Sequence, residues 1–216
     1  MKLCSRAGTT ITLQQLLPDI QVFGDGELEV GACHSQPSRI RPGDLFALLH
    51  PPGPRRDAAI EQAVARGCVA ILSEDALPGL NVPVICVSDI RTAYGRICHA
   101  LHGFPAQRLG VVGVTGAYGK TTTACLIARI LVQAGYSVGM LTSLGYFEGE
   151  ESVFPTETTP GPEELAQRLA RMADNECTHA VVEVSGKAIK QRYLAGLDLD
   201  IAVLLNDETD GLSSHN

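Results

Sequence analysis

Apolar residues follow two rhythms along the chain. Short stretches dominated by them recur at Leu45–Leu49, Val69–Leu72, Val82–Val87, Leu109–Val114, Ser137–Thr142, His179–Val184 and Asp200–Leu205, bounded by Gly, Pro or polar residues. Stretches of this length predict strands, and the near-continuous ones predict strands covered on both faces of a parallel sheet. Between them, apolar residues recur at helical spacing. Ile60, Ala63 and Val64 share one face of a helix over 57–66. A second helix runs through Ile90, Tyr94, Ile97, Cys98 and Leu101, with Ser88-Asp89 as its cap. Two more follow Leu109–Val114: one over 122–134, the other over 162–175 with Leu165, Leu169 and Met172 on one side. Alternation of strand and helix predicts an α/β fold with a doubly wound parallel sheet.

The same pattern divides the chain in two. Residues 1–107 read as a small N-terminal α/β domain and residues 108–216 as a second α/β domain. The segment 102–108 reads as a linker, because Gly103 and Pro105 stop the preceding helix. Residues 143–161 read as a polar loop, followed later by a short helix before the last strand. About four strands are expected in the second domain, where doubly wound nucleotide domains commonly have ~5–6, so this domain is expected to be incomplete. No internal repeat or low-complexity tract interrupts either half.

Composition narrows the function classes. The chain has 216 residues and a net charge of −7, with basic residues scattered apart from Arg55-Arg56, which argues against a general nucleic-acid binder. Its apolar stretches are far shorter than the ~20 residues of a membrane span. The start, Met1 to Arg6, lacks the apolar run of a signal peptide. Seven cysteines lie far apart with no C-x-x-C pair, which predicts reduced, mostly buried thiols in a cytoplasmic protein. A monomer is expected.

Chemistry enters at the end of the strand Leu109–Val114. The sequence Gly113-Val-Thr-Gly-Ala-Tyr-Gly-Lys-Thr-Thr-Thr123 places a Gly-rich turn and Lys-Thr at the head of a helix. Glycines let backbone N–H groups approach phosphates, the helix N-terminus adds partial positive charge, the Lys neutralises phosphate, and a Thr hydroxyl can ligate Mg²⁺. A plain strand-to-helix turn would need neither Lys nor Thr. The nucleotide-binding set is therefore Thr115, Gly116, Ala117, Tyr118, Gly119, Lys120, Thr121 and Thr122. Ligands of open parallel sheets bind at the carboxyl ends of strands. Glu183 ends one such strand and is the candidate Mg²⁺ partner of Thr121, since Mg²⁺ takes hard oxygen donors. Asp207, Glu208 and Asp210, past the last strand, offer a further ligand. Thr158 and Thr159 precede Pro160 and Pro162, and their spacing favours a helix cap over an anion contact. His99 and His102 are three apart on a helix but have no acidic or Cys neighbour, which favours an ordinary structural role over a metal pair.

These residues resemble one family along nearly the whole chain: the Mur ligases, ATP-dependent amino-acid ligases of peptidoglycan synthesis, and within them the UDP-N-acetylmuramoyl-tripeptide synthetases. Ser38-Arg39-Ile-Arg-Pro-Gly-Asp-Leu-Phe46 resembles the family's N-terminal signature, Gly113–Thr123 its ATP loop, Thr158-Thr159-Pro160 its substrate loop, and Glu183-Val-Ser185 the start of its Glu-Val-Ser-Ser-His motif. The resemblance implies a doubly wound ATP domain and a stepwise reaction: ATP phosphorylates a carboxylate of a UDP-N-acetylmuramoyl-peptide, and an amine displaces phosphate. It implies ATP and Mg²⁺ as cofactors, Lys120 and Glu183 as catalytic residues, and Thr121 and Glu183 as the metal site. For substrate it implies Ser38 at the uridine end, and Thr158, Thr159, Ser185, Gln191 and Arg192.

Departures from the family pattern are equally specific. The loop's Thr-Asn is Ala117-Tyr118, and its Ser-Ser-His is Ser185-Gly186-Lys187. An expected Arg falls on Tyr193, and an expected His on Gly211. The first-domain substrate loop reads Pro51-Pro-Gly-Pro-Arg-Arg56. The family's amino-acid-binding domain would lie beyond Asn216, so the chain alone is not expected to complete ligation. Two rivals remain: a degenerate Mur-like nucleotide-binding protein without catalysis, and a ligase resembling the folylpolyglutamate synthases, against which the Ser38–Phe46 signature argues.

Overall fold

A computed structural model describes residues 2–4, 10–17, 21–23, 29–150, 152–155 and 157–206. The chain forms two compact units, Met1–Gly103 and Phe104–Asn216. The stop at Gly103 follows from the sequence: the helix before it ends at Leu101, and Gly103 adopts φ +72°. Residues Pro105–Arg108, expected as linker, form a 3-10 turn packed on the second unit's helix Pro162–Asp174.

In the first unit, β1 (Lys2–Cys4), β2 (Thr10–Thr12) and β4 (Glu29–Val30) form a small sheet. A five-stranded sheet takes the order β3 (Gln21–Phe23), β8 (Val84–Cys86), β7 (Ala70–Ser73), β6 (Leu45–Ala47) and β5 (Cys33–His34). Its strands β5 to β8 are parallel, and β3 is antiparallel to β8. β6 and β7 are buried throughout, in keeping with sequences that are apolar but for Ser73. Helix α1 (Leu13–Leu16) is short; α2 (Pro54–Ala65) starts three residues before the expected Asp57, since Pro54 suits a first helical position. Helix α3 (Ile90–Leu101) is capped as its sequence predicts, with the Asp89 carboxylate accepting from Thr92 N–H.

The second unit carries the site. Its sheet has the order β12 (Ser152–Val153), β11 (Gly145–Phe147), β10 (Val138–Thr142), β13 (His179–Glu183), β9 (Gly110–Thr115) and β14 (Ile201–Leu204). The four expected strands are present and mutually parallel, β10 with β13, β13 with β9, and β9 with β14. The expected polar loop over 143–161 is corrected in part: β11 and β12 form a hairpin that extends the sheet by antiparallel pairing.

Successive residues of the central strands point to opposite faces. Val112, Val114 and Val181 face helix α4 (Lys120–Gln133), where Ala124, Ile127, Ala128 and Leu131 meet them. Val111, Ala180 and Val182 face the other way, onto Leu165, Leu169 and Met172 of α5 (Pro162–Asp174). The short α6 (Gly186–Lys190) follows β13. Register aligns the strand ends: Glu183 lies opposite Val114, and Leu204 opposite Thr115. The segments leaving β9, β13 and β14 therefore emerge at one edge.

Candidate nucleotide and metal site

The turn after β9 has the conformation its glycines permit. Gly116 takes φ +144° and Gly119 φ +81°, both in the region that disfavours other residues. A Cβ at Gly116 would lie 3.1 Å from Leu205 Cβ and from Asn206 Oδ1, so the turn is also held close to the segment leaving β14. Gly119 is the N-cap of α4, where no side chain caps the helix and no acidic residue enters the first turn. The first-turn N–H groups of Lys120, Thr121 and Thr122 have no intrahelical acceptor, and the helix dipole adds positive potential there. An uncapped helix start beside a Lys suits a phosphate.

Lys120 Nζ donates to the carbonyls of Gly116, at 2.8 Å, and Ala117, at 3.1 Å. The ammonium is thus held over the turn. Thr121 points the other way, its hydroxyl donating to Glu183 Oε2 at 3.0 Å and lying 3.1 Å from Ser143 Oγ. The same carboxylate oxygen accepts from the Ser143 N–H at 3.0 Å. Glu183 is only 2 % exposed. Thr121, Ser143 and Glu183 gather hard oxygen atoms beside the uncapped helix start, a donor set suited to Mg²⁺. Ser143 was not expected; its signal is its place just past the end of β10.

Thr159 is corrected. Expected as a helix cap, it caps nothing: the N-cap of α5 is Gly161, with no side-chain bond. Its hydroxyl, 1 % exposed, instead donates to the Glu183 carbonyl at 2.8 Å and accepts from the Ser185 N–H at 2.9 Å. It lies 3.2 Å from Ser185 Oγ, which caps α6 by accepting from Ala188 N–H. A buried hydroxyl must find partners, and those carbonyl and amide groups at the end of β13 are the ones within reach. Thr158 is half-buried beside it.

Asn206, at the third of the converging strand ends, takes part through bonds the sequence did not announce. Its Oδ1 accepts from the N–H groups of Ala117, at 2.7 Å, and Tyr118, at 3.1 Å. Its Nδ2 donates to the Tyr118 carbonyl at 3.3 Å. The front of the turn is therefore fastened to the segment leaving β14, and Tyr118 is 75 % exposed. Thr115 closes the other side, its hydroxyl donating to the Val184 carbonyl at 3.0 Å.

The remaining expected residues are placed as follows. Gln191 is the half-buried C-cap residue of α6, and Arg192 is exposed with φ +55°. Ser38 is exposed in a 3-10 turn of the first unit. There, Leu48 to Pro52, Arg56, Ser73 to Asp75, Ile90 and Arg91 line a cleft of about 410 Å³ at the ends of β6 and β7. The buried Arg56 is paired with Asp75 at 2.6 Å. His99 is buried with both ring nitrogens unpartnered, and no three His, Cys, Asp or Glu side chains cluster as a metal site among the described residues. Asp207, Glu208, Asp210 and Gly211 lie outside the described residues. Cys33, Cys68, Cys86, Cys98, Cys125 and Cys177 form no disulfide.

Residues 114–216 match the Mur ligase middle domain. Just under half of the chain is therefore similar to that domain. Similarity to Mur ligases extends beyond it. The chain is 35 % identical over 204 residues to a UDP-N-acetylmuramoyl-L-alanyl-D-glutamate–2,6-diaminopimelate ligase of Geobacillus thermodenitrificans, covering 94 % of this chain and 42 % of that protein. It is 34 % identical over 209 residues to the ligase of the same name from Xylella fastidiosa, again spanning 42 % of the relative and 95 % of this chain. A solved structure of a ligase of that name superposes with a TM-score of 0.75 and 23 % identity, over 96 % of this chain and 42 % of the other. The fold is thus that of the Mur ligases, and the chain spans less than half the length of these relatives. No described helix is long and apolar enough to cross a membrane.

Proposed function

We propose that this chain forms the nucleotide-binding and part of the substrate-binding machinery of an ATP-dependent ligase that joins an amino acid to a UDP-N-acetylmuramoyl-peptide in peptidoglycan synthesis. The carrying observation is the meeting of three strand ends: Lys120 and Thr121 after β9, Glu183 on β13, and Ser143 after β10. In such a reaction ATP supplies the phosphoryl group that turns a carboxylate into an acyl phosphate, from which an amine displaces phosphate. Positioning and charge neutralisation dominate the protein's contribution.

Each residue then has a task. The first-turn N–H groups of α4 and the Lys120 ammonium neutralise phosphate oxygens, Lys120 exchanging loop carbonyls for phosphate. Glu183 and Thr121 hold Mg²⁺, with Ser143 beside them. Asn206 keeps the turn in register by binding the Ala117 and Tyr118 amides. Thr159 ties the loop 157–160 to the end of β13, so that Thr158 and Ser185 line the approach to the metal. Gln191, Arg192 and, on the first unit, Ser38 would meet more distant parts of the muramoyl-peptide. The supporting relatives carry UDP-N-acetylmuramoyl-L-alanyl-D-glutamate in their names.

Calorimetric titration with UDP-N-acetylmuramoyl-L-alanyl-D-glutamate, in the presence of Mg²⁺ and a non-hydrolysable ATP analogue, tests the reading. Saturable binding of both ligands is expected. Binding of the nucleotide alone would reduce the protein to a nucleotide binder.

A further inference from the structure

Beside the proposed site lies an ion pair that the ATP machinery does not use. Lys187, on α6, directs Nζ at both carboxylate oxygens of Glu157, at 2.8 and 2.9 Å. Glu157 belongs to the loop that carries Thr158 and Thr159; Lys187 lies two residues beyond Ser185, which Thr159 touches. The pair therefore bridges the two segments that flank the end of β13.

Three features suit this contact to exchange. First, the Glu157 main chain is fixed independently of its side chain, because the buried Tyr146 hydroxyl donates to the Glu157 carbonyl. Second, Lys187 has a second support: its Nζ lies 5.9 Å from the ring centroid of Tyr193, a half-buried residue packed on the α5-side core. Third, the pair itself is solvent-accessible, with the Lys187 side chain 58 % and the Glu157 side chain 43 % exposed. Exposed pairs contribute little to stability and give way to a competing anion. The carboxylate can swing away while its backbone and the ammonium stay in place.

We infer that Lys187 is a specificity-determining receptor for a carboxylate of the acidic substrate, and that Glu157 occupies that receptor until the substrate displaces it. The inference rests on the proposed ligase reading, which calls for a substrate bearing carboxylates next to the metal site. It goes beyond that reading by assigning Lys187 and Glu157, neither of which holds nucleotide or metal. Glu157 is then a built-in competitor. Acidic substrates meet a small barrier and gain a cation, whereas neutral analogues gain nothing from Lys187.

The test uses the intact chain, loaded with Mg²⁺ and a non-hydrolysable ATP analogue. It compares Lys187→Met and Glu157→Gln by calorimetry against two probes: UDP-N-acetylmuramoyl-L-alanyl-D-glutamate and the same molecule with its glutamate carboxyls amidated. Both side chains are exposed, so both variants should fold, which circular dichroism checks. Lys187→Met should weaken the acidic probe by about tenfold or more, and Glu157→Gln should tighten it several-fold. Neither should change affinity for the amidated probe by more than about twofold. Equal loss on both probes, or no loss on the acidic one, overturns the inference while leaving the ligase reading intact. If the unmutated protein binds nucleotide but neither probe, the ligase reading fails and the inference with it.

Discussion

Glu183 Oε2 accepts from the Thr121 hydroxyl at 3.0 Å, joining residues 62 positions apart, one at the end of β13 and the other in the first turn of α4. The contact brings a buried carboxylate to the first turn of the helix that starts behind the phosphate turn. Parallel pairing sets it up: Glu183 lies opposite Val114 on β9, one residue before Thr115 and the turn. Replacing Glu183 by Gln keeps the shape and one acceptor but removes the charge. The variant should fold and still bind nucleotide, but the gain in affinity on adding Mg²⁺ should fall about tenfold or more. Titrations with and without Mg²⁺ measure it; an unchanged Mg²⁺ effect would remove Glu183 from the metal site.

Asn206 holds the turn from the opposite strand. Asn206→Ala leaves the Ala117 and Tyr118 N–H groups without their acceptor, at a cost of about 1–2 kcal/mol spread over a partly exposed turn. Nucleotide affinity should drop roughly tenfold while the thermal midpoint moves little, because the lost contacts lie at the rim of the sheet. A large fall in midpoint with unchanged affinity would make Asn206 a packing residue only.

Thr159 should behave in the opposite way. Thr159→Val preserves volume but strands the Ser185 N–H and the Glu183 carbonyl in a buried place. A stability loss of about 2 kcal/mol is expected by denaturant titration, and far less for the half-buried Thr158→Val. Equal effects at the two positions would contradict the bonding described for Thr159.

Legibility in the sequence followed the range of the interactions. Strands β9 and β13 were readable because both faces are covered, which demands unbroken apolar residues. The Asp89 cap was readable because its partner Thr92 is three residues away. The β11–β12 hairpin was not: its strands are short, and Ser152 and Val153 are exposed at the sheet edge, so no period of two builds up. The bonds that Asn206 and Thr159 make were not legible, for another reason. Their partners lie 89 and 24 positions away, and only the strand order brings them close. The phosphate turn and Glu183 were legible as types of residue at strand ends; Ser143 also sits past a strand end, but its partner Glu183 is 40 positions away and only the strand order joins them.

His99 makes the first unit sensitive to acid. Burial, reinforced by the charge of His102, lowers its pKa from 6.5 to about 4. Between those values the unfolded chain binds a proton that the folded chain refuses, so stability is complete above about pH 6.5 and declines as pH falls towards 4. The loss attributable to this group approaches ~3 kcal/mol at the lower end. His99→Met should flatten the pH dependence of the unfolding free energy over that range. An unaltered slope would mean that His99 does not govern it.

The nucleotide site itself is tested most directly at Lys120, whose ammonium now rests on the Gly116 and Ala117 carbonyls. Calorimetric titration of the unmutated chain and of Lys120→Ala with Mg-ATP is the decisive measurement. Saturable one-site binding by the former and its loss in the latter is the predicted result; equal affinity for the two would contradict the account.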